Sequence, residues 1–272
     1  GKRSHAETEI DRRGKRMLLG VSRENRDRQE DFICQALRVG AEALILCPAY
    51  DTTSDDLAKV LLRDGALRLP TALLFRGIEG FPCPQVVSDE AKAGRLAARA
   101  ALDAGYRRFV WLGGGSHTSV ARDRQRGAVS VLQAAGHEVI ILNGPTSRQF
   151  GHETALRVMS DAPAAELCFL CFSDLIALGV LSACHTLGRT VGDEVSVIGC
   201  DDMGEVRYAI PPLSTVHIDI PRIVREGITA ALDNGAVKTT ILEPRWLKRA
   251  SLRQTSPYDD GMSRIRTPRD LA

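Results

Sequence analysis

The stretch 167–202, LCFLCFSDLIALGVLSACHTLGRTVGDEVSVIGCDD, decides the fold. It opens on LCFLCF, an apolar run without alternation, which is how a strand buried on both faces reads. The segment 173–187 then carries a helical pattern, and Gly188 follows as the left-handed residue that closes a helix. VSVIG (195–199) is a second unbroken apolar run. Strand, helix, glycine and strand make one βα unit, the building block of a parallel sheet.

The same unit recurs along the chain. Further apolar runs are MLLGV (17–21), ALILC (43–47), TALLF (71–75), QVVS (85–88), FVWLG (109–113) and VIIL (139–142). Helical patterns separate them at 26–39, 90–104 and 119–135, with Gly40, Gly105 and Gly136 as stops. In the first of these Phe32, Ile33, Leu37 and Val39 fall roughly on one face. Repetition of this kind predicts an α/β protein with doubly wound parallel sheets. Such sheets bind ligands beyond the carboxyl ends of their strands. The residues there are Ser22-Arg23, Pro48-Ala49, Arg76, Asp89, Gly114-Gly115, Ser173-Asp174 and Asp201-Asp202, which favours a polar ligand.

Composition narrows the function classes. With 272 residues, 44% hydrophobic and 26% charged, the chain has the balance of a globular protein with room for two domains. A net charge of +2 gives no basic excess for non-specific nucleic-acid binding. Nine Lys and Arg in the first thirty residues are interleaved with six acids, as on a solvated helix face. The seven cysteines are scattered, and Cys168 and Cys171 sit three apart in a strand, so they point to opposite faces and cannot share an ion. This usage fits a reducing cytoplasm, and no apolar run is long enough to span a membrane. The glycine run 113–115 lacks both phosphate-loop patterns, and the six histidines form neither a zinc motif nor a hydrolase elbow. No cofactor or metal is expected, and catalysis would need a paired nucleophile and base that the sequence does not offer.

Three segments resemble the lac-repressor (LacI) family. FSDLIALGVLSACHTLGRTVGDEVSVIGCDDM (172–203), continued by IPPLSTVHIDIPRIVREGITAAL (210–232), is similar to the family's most recognisable stretch. VVSDEAKAGRLAARAALDAGYRRFVWLGG (86–114) resembles its D-x-x-x-x-G helix and the strand after it. SVARDRQRGAVSVLQAAG (119–136) resembles its A-x-x-R-x-x-G helix. The likeness runs from about residue 6 to 250. It implies the effector-binding part of a bacterial transcriptional regulator: two α/β subdomains of periplasmic-binding-protein type, hinged by crossover segments, with a small molecule clamped between them. On this reading 1–104 and 220–237 form the first subdomain, 105–219 and 238–257 the second, and 258–272 a flexible tail. The helix-turn-helix domain that meets operator DNA in the family is absent from this sequence, and a homodimer is expected from the family's symmetry.

One departure concerns the first subdomain. The opening GKRSH resembles the end of the hinge before the family's first strand, yet AETEIDRRGKR already reads as the helix after that strand. In a 2-1-3-4-5 sheet the first strand is central, and losing it leaves buried backbone groups unpaired. The expectation is a segment omitted near residues 4–6 or a rearranged subdomain.

Carried over residue by residue, the resemblance implies effector contacts at Asp89, Arg124 and Asp201, with Ser173, Thr146 and Ser147 near the pocket. Arg76 joins them by its place after a strand. Each has a structural alternative. Asp89, Asp201 and Ser173 are residue types that cap helices and turns, and Arg124 stands in a basic cluster with Arg122 and Arg126 that could be surface ion pairing. Asp202 reads as structural, and Trp111 and Trp246 as core or interface. Asp accepts from sugar hydroxyls, while an Arg fork suits vicinal hydroxyls or a carboxylate. Two cleft arginines favour a sugar acid by charge alone. A periplasmic sugar-binding protein of a transporter is the alternative on the same fold, which the free cysteines disfavour.

Overall fold

The computed structural model describes residues 2–115, 118–162, 166–233 and 235–254. The expected tail 258–272 lies outside the described residues. Two sheets organise the chain. The second in sequence is the larger, with order β12-β10-β9-β8-β6-β7: β6 (Phe109–Leu112), β7 (Val139–Leu142), β8 (Leu167–Cys171), β9 (Val195–Cys200), β10 (Ser214–His217) and β12 (Arg245–Leu247). All its pairs are parallel except β10 with β12 at the edge. Strands β6, β8 and β9 are buried along their whole length, which is why their sequences run apolar without alternation.

The two faces of this sheet feed different cores. Val110, Leu112, Phe169 and Cys171 pack with α6 (Arg148–Asp161) and α7 (Asp174–Thr186). Phe109, Trp111, Cys168 and Leu170 face α4 (Glu90–Asp103) and α5 (Ser119–Ala134). Cys168 and Cys171 therefore do lie on opposite faces, both buried, and burial pushes their thiols up so that they stay protonated. Gly105 and Gly136 take φ of 81° each just past α4 and α5, the left-handed geometry that ends a helix.

The first sheet is smaller and fully parallel, β1 (Leu44–Leu46), β4 (Thr71–Leu74), β5 (Gln85–Ser88) and β11 (Thr239–Leu242) in the order β1-β4-β5-β11. Helix α8 (Ile220–Leu232) packs on it, and α1 (Lys2–Arg12) packs on α8. Between β1 and β4 run α3 (Ser54–Leu61) and a short hairpin, β2 (Leu62–Arg63) with β3 (Ala66–Leu67). Crossovers near residues 89, 219 and 243 join the two bodies. Helix α4 packs on the second sheet and β11 pairs within the first, so the chain passes from one sheet to the other near 89 and 243.

Three expectations for this body need correction. The run MLLGV (17–21) is not a strand: Leu18, Leu19 and Val21 are 61%, 45% and 56% exposed. The sheet ends at β1, whose one neighbour is β4, so a ladder partner for this run is missing where the family pattern has a central strand. Without a partner for its backbone groups an apolar run gains nothing from extended pairing, and it lies against α2 (Arg26–Arg38), where a Cβ on Gly20 would fall 2.7 Å from the Phe32 ring. Residues 2–5, expected to close a hinge, belong to α1 instead. The face that α2 buries is also narrower than its sequence suggests: Ile33 is buried with Gln29 and Ala36, while Phe32 and Val39 are exposed.

Candidate functional site

Between the two sheets lies a cleft of about 740 Å³. The first body lines it with Glu24, Tyr50, Phe75 and Arg76, and the second with Gly114, Thr146, Phe172, Ser173 and Asp201, while Ile218 and Ile220 close it at a crossover. Arg76, Phe172 and Asp201 follow β4, β8 and β9, so the carboxyl ends of both sheets point into one space, as doubly wound folds require of a binding site.

Arg124 is the centre of the wall. It comes from α5, is buried, and lies over the Phe172 ring with its guanidinium carbon 4.7 Å from the ring centre. Its Nε donates to Glu90 Oε2 at 2.7 Å, Nη2 reaches the same oxygen, and Nη1 donates to the carbonyl of Phe172 and lies 3.5 Å from Asp201 Oδ1. Burial alone would lower its pKa, but the polar surroundings at Cys200, Glu90 and Asp201 outweigh that and raise it, so the charge is permanent. Close approach of two helices makes this pairing possible. A Cβ on Gly94 of α4 would fall 1.9 Å from the carbonyl oxygen of Arg124, and one on Gly127 of α5 would fall 2.1 Å from that of Ala91.

Arg76 is held by a two-pronged pair to Glu24, at 2.6 and 3.0 Å, and by a bond to the Pro48 carbonyl at 2.7 Å. Its guanidinium stands 4.8 Å from the Tyr50 ring centre. Both arginines thus line the cleft, and both carry carboxylate partners.

The loop after β9 presents Asp201 under strain. Asp201 and Asp202 take φ of 110° and 53°, a region that side chains disfavour and that costs on the order of 1–3 kcal/mol per residue. Backbone and side-chain bonds hold it there. Asp201 N donates to the Val216 carbonyl at 2.9 Å. The buried Asp202 carboxylate accepts from Arg249 at 2.7 Å and meets His217 Nδ1 at 3.1 Å; burial resists the charge, but these partners hold its pKa below the usual carboxylate range. Behind the loop Asp174, fully buried, accepts from Met203 N at 2.7 Å and Thr215 Oγ1 at 2.6 Å. Burial first, and then the charge of Asp201, push the Asp174 carboxyl up to about 7.

The remaining expected contacts divide. Thr146 lines the cleft, but Ser147 caps α6 with its Oγ 3.1 Å from Phe150 N and is not among the lining residues. Ser173 does both, lining the cleft and capping α7 through Ile176 N. Asp89 caps α4 through Lys92 N at 2.7 Å and lies 3.6 Å from Arg95, while its neighbour Glu90 faces the cleft. Sequence reading missed Glu24, Tyr50, Glu90 and Phe172. For Glu90 and Phe172 the signal was adjacency to a strand end; Glu24 and Tyr50 sit in irregular segments with none. Asp202 and Trp111 are structural and core, as expected. Among the described residues no group of three or more His, Cys, Asp or Glu could hold a metal, and no helix is long and apolar enough to cross a membrane.

A cleft between two mainly parallel sheets, walled by a few convergent polar side chains on apolar and aromatic surface, has the form of the sites that take small molecules. Residues 98–252 match the family described as periplasmic binding protein-like domain, and the chain belongs to that family. Within it the resemblance to the LacI branch stands. The chain is 27% identical over 227 residues to the HTH-type transcriptional repressor PurR of Photobacterium profundum, covering 81% of this chain and 65% of that protein. It is 28% identical over 212 residues to the ribose operon repressor of Bacillus subtilis, covering 78% and 62%. A LacI family transcriptional regulator from Silicibacter pomeroyi, 26% identical, superposes with a TM-score of 0.79 over 93% of this chain and 94% of that one. The chain thus spans less than two thirds of the length of these two repressors.

Proposed function

We propose that the chain is the effector-sensing part of a LacI-type transcriptional regulator, acting by binding and not by catalysis. A small sugar-like molecule enters the cleft and changes how the two bodies close. In a longer, dimeric, cytoplasmic protein that motion alters the presentation of helix-turn-helix heads to operator DNA. Effector and operator are then linked reciprocally, and the effector must prefer one closure state, since equal affinity for both shifts nothing. The observation that carries this reading is the placement of Arg124, Arg76 and Asp201 around one cleft where the strand ends of two sheets converge. The relatives' names as repressors support the coupling to DNA.

Thermal-shift measurement with a panel of pentoses, hexoses, their acids and nucleosides tests it. At least one compound is expected to raise the melting temperature of the wild type, with the shift abolished in Arg124→Ala. A panel that stabilises neither protein counts against the reading.

A further inference from the structure

On charge alone two cleft arginines invite an anion. Counting their partners reverses the balance. Among the described residues that line the cleft, two guanidinium groups face three carboxylates, those of Glu24, Glu90 and Asp201. Arg76 is matched prong for prong by Glu24, and Arg124 has Glu90 on its Nε and Nη2 and a backbone carbonyl with Asp201 on its Nη1. An incoming carboxylate or phosphate would have to displace one of these acids from its arginine, or sit beside it as a like charge in a cleft of low polarity. Either costs more than the anion recovers from a fork that is already neutralised.

Glu90 decides the matter because it is the least movable of the three. Its side chain is 10% exposed against 39% for Glu24 and 31% for Asp201. It lies in the first turn of α4, and that helix is held against α5 where Gly94 and Gly127 each face the other helix's backbone, so α4 cannot carry Glu90 away from Arg124 without parting the helices. We infer that Glu90 is a specificity-determining residue that closes Arg124 to anions, so that the cleft takes an uncharged, hydroxyl-bearing molecule and rejects the acid of the same skeleton. Hydroxyl groups suit such a wall: a carboxylate oxygen can accept more than one hydrogen bond, and Phe172, Phe75 and Tyr50 add apolar surface for ring carbons.

This rests on the reading of the cleft as an effector site, and the experiment separates the two. Isothermal titration compares wild type and Glu90→Gln, an isosteric change that removes the charge, against paired ligands such as ribose with ribonate and glucose with gluconate. Inorganic phosphate is added to both proteins as a bare anion in a thermal-shift arm. The expected result is a wild-type preference of at least about tenfold for a neutral member over its acid, which falls or inverts in Glu90→Gln. Phosphate is expected to stabilise the variant and leave the wild type unmoved. A wild type that binds an acid as tightly as its neutral partner overturns the inference, even should the variant fail to fold. If no sugar or acid binds either protein, the effector reading falls, and the phosphate arm decides alone: equal responses overturn the role of Glu90, and a response confined to Glu90→Gln sustains it.

Discussion

Gly94 of α4 faces the backbone of Arg124 and Ala128, and Gly127 of α5 faces that of Ala91, each with no room for a side chain against the other helix. Both helices follow the crossover at residue 89, and both lie on one face of the second sheet. Their contact sets the depth at which Arg124 sits behind the cleft and the distance at which Glu90 meets it.

Substituting either glycine should therefore cost more than propensity alone predicts. Alanine at 94 normally favours a helix by about 1 kcal/mol. Here it must push backbone away from backbone, and a net loss of about 2–3 kcal/mol is expected. Urea unfolding of Gly94→Ala measures it, and a stabilised variant would show that the helices can separate freely.

Asp174 should give stability a pH dependence of unusual sign. Its folded pKa, about 7, lies above the ordinary value of 3.8, so the folded state holds its proton more tightly than the unfolded chain. Stability from this group is full below about pH 4 and is lost as pH rises toward 7. Asp202 acts in the opposite sense, but its lowered pKa confines its effect to more acidic pH. The difference in unfolding free energy between wild type and Asp174→Asn, followed from pH 4 to 8, should change by a few kcal/mol across that window. A flat difference would place Asp174 in a more polar setting than its burial indicates.

Arg249→Leu removes the main partner of the buried Asp202 carboxylate, along with a bond to the Leu213 carbonyl. Stranding a buried charge costs about 3–5 kcal/mol, and His217 together with Arg207, 3.5 Å away, on the same carboxylate brings the cost to the lower figure or below it. Because Asp202 anchors the strained loop, effector affinity should weaken together with thermal stability. Intact affinity in a destabilised variant would uncouple the loop from Asp201.

Leu19→Ser tests the first body. A leucine in a central strand would cost about 2–5 kcal/mol on truncation. At 45% exposure with no strand partner, the expected change is within about 0.5 kcal/mol. A loss above about 2 kcal/mol in chemical denaturation would show that 17–21 is buried in solution.

The second body was legible because its signals are local and redundant. LCFLCF and VSVIG announce doubly buried strands, and Gly136 and Gly188 stop helices where the structure stops them. MLLGV carries the same strand signal and fails, since a strand is a relation between two segments and composition specifies only one of them. The site was half legible for a related reason. Strand ends can be found from sequence, so Arg76, Ser173 and Asp201 could be placed; Arg124 came from the family pattern. Whether Asp89 or Glu90 turns inward depends on the phase of α4 against α5, which two glycines set across the helix interface.

By itself, then, the sequence determined the α/β class, the family and the ring of polar residues at the strand ends, because each follows from periodicity and short motifs. Only the tertiary structure decided that both arginines of this small-molecule cleft already have carboxylate partners. Glu24 lies 52 residues from Arg76 and Glu90 lies 34 from Arg124, and no local pattern records which charges the fold brings within 3 Å of each other.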